Sequence, residues 1–377
     1  MTEATTERLP GLDLLRSLAI LWVMLFHSFI VGGLGSDWAW LSRYGWMGVD
    51  LFFVLSGFLI GNQVLRPLTN GQQFSFKYFY LRRAFRILPA YLAVLLAYLI
   101  WPAFREAPGM EPGWKFITFT LNLSIDYINN TAFSHAWSLC VEEHFYLIFP
   151  LLAVWLMRRP TKWKFVAACA CIVIAGIGLR SAIWLQDTAS GSSLYRNWYV
   201  EDIYYPTWNR LDGLLAGIVL ATLKVLHPHT WARLQNYANT CLMIGMATMA
   251  LAFWLFSSRM GLLGNSIGWP VLSASLGLLV FAGASRDSLI GKWNVPGAGW
   301  LAAISYSLYL VHKPMYHLIQ VQWGEQLADR GAIAFITFGV GAIAAGALLH
   351  YLVERPFLRL RERLFMRRQY EAPALQI

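Results

Sequence analysis

Long apolar runs alternate with short polar islands from one end of this chain to the other. Ten runs stand out: Leu12–Ile30, Trp46–Ile60, Ala84–Trp101, Trp137–Met157, Phe165–Trp184, Leu211–Leu226, Thr240–Phe256, Ile267–Ala282, Trp300–Ile319 and Ala332–Tyr351. Each approaches the roughly 20 residues that carry a helix across a hydrocarbon layer about 30 Å thick. Lipid supplies no partner for a backbone N–H or C=O, so every run must satisfy its own peptide groups, and a helix does that within one segment. The pattern predicts an all-α, polytopic integral membrane protein, a helical bundle of about ten transmembrane helices. The shorter runs are expected to tilt or to extend into their flanks. The first apolar stretch begins after Arg16 and is not followed by a small-residue cleavage site, so it is expected to stay as the first helix. No internal repeat of the transporter kind is visible.

Composition strengthens this picture. Of 377 residues 57% are hydrophobic and 13% charged, against about 25% charged in soluble domains. Many of the 18 Trp sit at run ends, among them Trp38, Trp40, Trp46, Trp101, Trp137, Trp184, Trp208 and Trp300, where an interfacial aromatic belt belongs. An even number of spans places both termini on one side. With the N-terminus inside, 21 of the 30 basic residues fall in inner segments and 8 in outer ones, while Lys313 lies within a run. That bias predicts N-in and C-in by the positive-inside rule, in the cytoplasmic (inner) membrane. It also accounts for the net charge of +10 through an anionic leaflet, with no nucleic-acid partner. The longest outer connections, Pro102–Ala136 and Gln186–Thr207, are placed to cover a site on the outer face. Cys140, Cys169, Cys171 and Cys241 show neither metal-ligand spacing nor a disulfide framework, and no metal is expected.

A titratable group in hydrocarbon costs at least ~2.5 kcal/mol, which makes any such group a functional candidate. Arg16 and His27 share the first run. Eleven residues at about 100° each come to within about 20° of three full turns, so both project from one helix face, ~16 Å apart along the axis. Arg16 lies near the inner surface and His27 about one turn short of the outer one. The second run brings Asp50 to the depth of His27, the fourth brings Glu142 and Glu143, and Arg210 and Asp212 open the sixth. Carboxylates and an arginine at one level can neutralise one another and orient the imidazole, and a neutral imidazole so held is a general base for a hydroxyl. A purely structural ion-pair cluster joining helices is the competing account. At the inner surface Arg83 and Arg86 share a face at i, i+3. With Arg16 they form a set of guanidinium forks suited to phosphate, about one extended pantetheine arm away from His27.

The same residues carry a resemblance to a known family. Arg16 and His27 match an arginine–ten residues–histidine motif. Gly48 to Ile60, reading GVDLFFVLSGFLI, matches a family segment without a gap. Arg83 to Arg86 matches an RxxR motif, and Trp137 to Tyr146 matches a WSLxVEExFY signature. Arg210-Leu211-Asp212-Gly213, Ser305 to His312 (SYSLYLVH) and Glu354-Arg355-Pro356 follow in order. Together these resemble the membrane-bound acyltransferase family 3, which includes bacterial O-antigen and exopolysaccharide O-acetyltransferases, over roughly Leu12 to Pro356. His144 stands where many members carry Gln, and Cys140 occupies a variable position.

The resemblance implies an O-acyltransferase that moves an acyl group, commonly acetyl from acetyl-CoA, to a hydroxyl of a carbohydrate or glycoconjugate. It implies an organisation of a cytoplasmic N-terminal segment (1–11), an acyltransferase-type transmembrane domain (12–356) and a short basic cytoplasmic tail (357–377) without a second domain. In that frame His27 removes the hydroxyl proton, Glu142 or Asp50 orients or neutralises it, Tyr146 donates to the oxyanion, and Arg16, Arg83 and Arg86 hold the acyl-CoA. A covalent acyl-histidine relay is the variant mechanism. Two alternatives remain at this level: acylation of a small natural product such as an antibiotic, and a proton-coupled transporter using the same intramembrane charges. Oligomeric state is not readable from the sequence.

Overall fold

The computed structural model describes residues 9–32, 39–159, 162–189, 196–328 and 330–371, and among them every regular element is a helix. Arg8 and Trp38 lie outside the described residues. The longer helices, in chain order, are α1 (Pro10–His27), α2 (Met47–Thr69), α3 (Phe76–Ile100), α4 (Trp137–Met157), α5 (Lys162–Ala189), α6 (Leu211–Leu226), α7 (Pro228–Gln235), α8 (Ala238–Leu255), α9 (Trp269–Gly283), α10 (Ala298–Leu327), α11 (Ala332–Leu349) and α12 (Arg355–Glu371). Each of the ten predicted runs lies on one of them.

The protein is an all-α membrane protein. Among the described residues, eight helical stretches are long and apolar enough to span a bilayer, or nine if α6 and α7, bent by 109° at their junction, form one broken span. Two of the ten predicted runs fall short of that length and apolarity, each for a physical reason. Helix α6 has 16 residues, about 24 Å at 1.5 Å per residue, short of the hydrocarbon thickness. Helix α10 is long enough at 30 residues but carries Ser305, Tyr306, Ser307, Tyr309, His312 and Lys313 in its middle.

The chain divides into two compact units. The first contains α1 as far as Phe26, α2, and the chain from Ala107 to Ala302. Its centre is the pairing of α2 with α6, which small residues make possible. A Cβ on Gly57 would stand 2.1 Å from the Leu214 carbonyl oxygen, and one on Gly217 would stand 2.2 Å from that of Val54. Only backbones without side chains approach so closely, and in a bilayer that close van der Waals fit replaces the hydrophobic drive. The core around this pair is aromatic. Trp46 is buried against Phe256 and Trp269 with centroids 5.0 and 5.3 Å away.

The second unit contains the turn after His27, α3 with the loop to Glu106, and the chain from Ala303 onward. A π-helical turn at His350–Glu354 connects α11 to α12. It delivers Glu354, 1% exposed, to three donors. Ser307 Oγ donates to its Oε2 at 2.7 Å, His350 Nδ1 lies 2.9 Å from the same oxygen, and Arg86 Nη1 is 2.7 Å from Oε1. Tyr306 adds a hydroxyl bond to the Ile87 carbonyl at 2.9 Å, tying α10 to α3. A buried carboxylate is tolerable only with such company.

Candidate active site

The charged positions picked out of the sequence separate into groups with different partners. In the first unit Asp50, on the first turn of α2, is buried, and Arg210 Nη2 donates to its Oδ1 at 2.7 Å. The Arg210 guanidinium lies over the rings of Trp269, Tyr204 and Trp137, at 3.8, 4.4 and 5.1 Å. Asp212 accepts from Arg180 Nη1 at 2.9 Å, and the same nitrogen reaches the Asn209 carbonyl at 2.9 Å while Nε donates to that of Asn265 at 2.8 Å. Arg180 lies inside the fifth predicted run, four residues from its end. It is fully buried on α5. Two carboxylates and two arginines are thus neutralised within one unit, which is the structural half of the sequence expectation.

Glu142 and Tyr146 are brought together one turn apart on α4. The Tyr146 hydroxyl donates to Glu142 Oε2, and Ser56 Oγ from α2 donates to the same oxygen at 3.2 Å. Tyr146 is buried and Glu142 half-buried. The phenol proton that was expected to serve an oxyanion is here given to a carboxylate. His144 Nδ1 lies 2.7 Å from Thr207 Oγ1. Both line a cavity of about 470 Å³ whose other walls are apolar, including Phe145, Phe149 and Leu215, and none of the predicted catalytic residues lines it.

His27 is the last residue of α1, half-buried, and belongs to the second unit. Helix α1 is unbroken from Pro10, so the three-turn spacing back to half-buried Arg16 holds. The His27 Nδ1 atom lies 2.8 Å from Nε2 of His312, with ring centroids 5.0 Å apart. The sequence reading gave the orienting role to Glu142 or Asp50 and gave His312 none. Asp50 is instead taken by Arg210. His312 is fully buried on α10, and its Nδ1 lies 2.8 Å from the Tyr309 carbonyl oxygen. Its neighbour Lys313 is also buried, paired with Glu106 Oε1 at 2.8 Å, and Tyr98 donates to Glu106 Oε2 at 2.7 Å. Glu106 follows the third span. Burial alone would raise its carboxyl, but the Lys313 charge and the hydrogen bonds from Lys313 and Tyr98 hold it below the usual carboxylate range.

Arg83 and Arg86 are half-buried one turn apart near the start of α3. Arg86 spends one nitrogen on Glu354, which leaves the rest of a partly exposed fork for an anion. Glu354 was quoted from sequence only as part of a motif. A carboxylate at the end of an apolar run was its available signal.

The chain belongs to the acyltransferase family whose model, described as an acyltransferase domain, matches residues 9–352. Among curated proteins it is similar to the peptidoglycan O-acetyltransferase OatA of Listeria monocytogenes, with 28% identity over 84% of this chain and 51% of that protein. It is also similar to the O-acetyltransferase OatA of Staphylococcus aureus, with 26% identity over 81% of this chain and 50% of that one. The chain spans about half the length of these curated relatives. No solved structure matches it.

Proposed function

We propose that this protein is a membrane O-acyltransferase that passes an acyl group, acetyl in the first instance, from acyl-CoA on the cytoplasmic side to a hydroxyl of a carbohydrate. Family membership and the names of the relatives support acyl transfer and make a peptidoglycan-like glycan the first acceptor to try. The observation that carries the catalytic reading is His27: a half-buried imidazole at the end of a membrane helix, with one ring nitrogen hydrogen-bonded to a second imidazole.

In this reading His27 Nε2 takes the acceptor hydroxyl proton as the oxygen attacks the thioester carbonyl. The tetrahedral intermediate then expels the thiolate, which receives that proton back from His27, so the products are an ester and free coenzyme A. Arg16, Arg83 and Arg86 supply the phosphate contacts, bidentate where a fork is open. The orientation is N-in and C-in in the cytoplasmic membrane, supported by the inner excess of basic residues.

The experiment is acyl-CoA turnover by detergent-purified protein with an oligosaccharide acceptor. His27→Ala should lose about 10²- to 10⁴-fold in kcat, the worth of a general base. Wild-type turnover by a folded His27→Ala protein removes His27 from the chemistry.

A further inference from the structure

The bonds around His312 fix more than its own position. A carbonyl oxygen can only accept, so the 2.8 Å contact between His312 Nδ1 and the Tyr309 carbonyl requires the proton of that ring to sit on Nδ1. His312 is fully buried, and charging it there would cost desolvation. The neutral ring therefore has its lone pair on Nε2. That nitrogen is the one 2.8 Å from His27 Nδ1. The only complementary assignment puts a proton on His27 Nδ1 and leaves the His27 lone pair on Nε2.

We infer that His312 is a positioning residue that sets the tautomer of His27, through a one-way chain from His27 Nδ1–H to His312 Nε2 and from His312 Nδ1–H to the Tyr309 carbonyl. The inference rests on the reading of His27 as the base and adds what prepares it. The direction of the chain has a consequence for the proton. When His27 takes a proton at Nε2, His312 cannot relieve it by passing its own proton on, because the carbonyl at the far end accepts no transfer. The proton stays on His27 until the leaving thiolate collects it. The group bonded at His27 Nδ1 is a neutral ring, unlike the carboxylate that backs the imidazole of a hydrolase triad. The device thus selects the tautomer and the ring orientation and keeps the proton local.

The test uses full-length protein in detergent. In the wild type, ¹⁵N-histidine spectra assigned by comparison with His27→Ala should show His27 protonated at Nδ1. His312→Leu fills similar space without an acceptor and should lower kcat by between about 10²- and 10⁴-fold with KM unchanged. It should also return the His27 signal to mixed tautomers. His312→Gln offers an amide oxygen to the same donor and should restore most of the rate. A His27 protonated at Nε2 in the wild type, or a folded His312→Leu protein with wild-type kcat, overturns the inference. The spectrum reads the tautomer whether or not His27 proves to be the base, so the two ideas fail separately.

Discussion

The two units solve one problem in two ways. Both bury titratable side chains in membrane helices, where an unsatisfied one is costly. The first unit answers with opposite charges: Arg210 on Asp50 and Arg180 on Asp212, both arginines fully buried and the first walled by aromatic rings. The second unit holds a pair of imidazoles, His27 on His312, joined without a countercharge across the bond. A closed ion pair is a lock: its charges are committed and its geometry is fixed from both ends. A half-buried imidazole held by a second, neutral imidazole can still exchange a proton. The sequence gives both the same appearance, an ionisable residue in an apolar run. What separates lock from tool is the partner.

The comparison breaks first at Arg210. Arg210→Met leaves Asp50 buried and uncompensated and should cost about 3–5 kcal/mol, read as a large fall in thermal unfolding temperature in detergent. Adding Asp50→Leu should recover most of it, since a buried pair replaced by apolar side chains is close to neutral. His27→Ala, by contrast, should lower kcat by about 10²- to 10⁴-fold while leaving the unfolding temperature near wild type. If Arg210→Met unfolds like wild type, the first unit is not locked by its charges and the distinction fails.

A smaller effect sharpens the role of the arginines on α3. Arg83→Gln should raise the KM for acyl-CoA about 10-fold, the loss of one charge-assisted contact of roughly 1.5 kcal/mol. Arg86→Gln should raise KM and also lower the unfolding temperature, because Glu354 then loses a partner. An Arg86→Gln protein as stable as wild type would mean that Arg86 and Glu354 do not support the fold. Smaller again is Tyr146→Phe. Its hydroxyl is given to Glu142, so removal should cost about 1 kcal/mol of stability and less than 10-fold in kcat. A loss nearer the 10² expected of an oxyanion donor would assign the phenol to the reacting oxygen instead.

These outcomes turn on partners, and partners were the part that the sequence left open. Where helices lie was legible because a span must be apolar along its length, and all ten runs are helical. Which residues of a run meet another run was not, because that depends on which helices are neighbours and how each is rotated. His27 and His312 are 285 positions apart, and depth alone made Asp50 and Glu142 equal candidates for the imidazole. Arg180 lay too close to a predicted boundary to be recognised as buried. The close contact of α2 with α6 was nearer to legible: Gly57 and Gly61 on one helix, and Gly213 and Gly217 on the other, repeat at four-residue spacing, the pattern of closely packed membrane helices. The motif from Ser305 to His312 pointed at α10 but not at the separate duties within it, where Ser307 serves Glu354, Tyr306 serves α3 and His312 serves His27.

The second unit also contains ion pairs, and one of them tests whether partner or unit decides the behaviour. Glu106 pairs with Lys313, next to the imidazole that His27 uses. Its carboxyl is held below the ordinary range because Lys313 and Tyr98 outweigh the effect of burial. A carboxylate with a lowered folded pKa binds its proton more readily in the unfolded chain. The pair's contribution is therefore fully present above the ordinary carboxylate range, about pH 4–5, and is lost as pH falls through the lower folded value. Thermal stability of the wild type should be flat from pH 7 to about 5 as far as this pair is concerned, and should decline below it. Glu106→Gln should be less stable at neutral pH, since Lys313 is then buried without its countercharge, and should show a shallower decline in acid because the titrating partner is gone. Acid limbs of equal steepness in the two proteins would mean that Glu106 is already protonated in the fold, and that an ion pair in this unit does not behave as those of the other unit do.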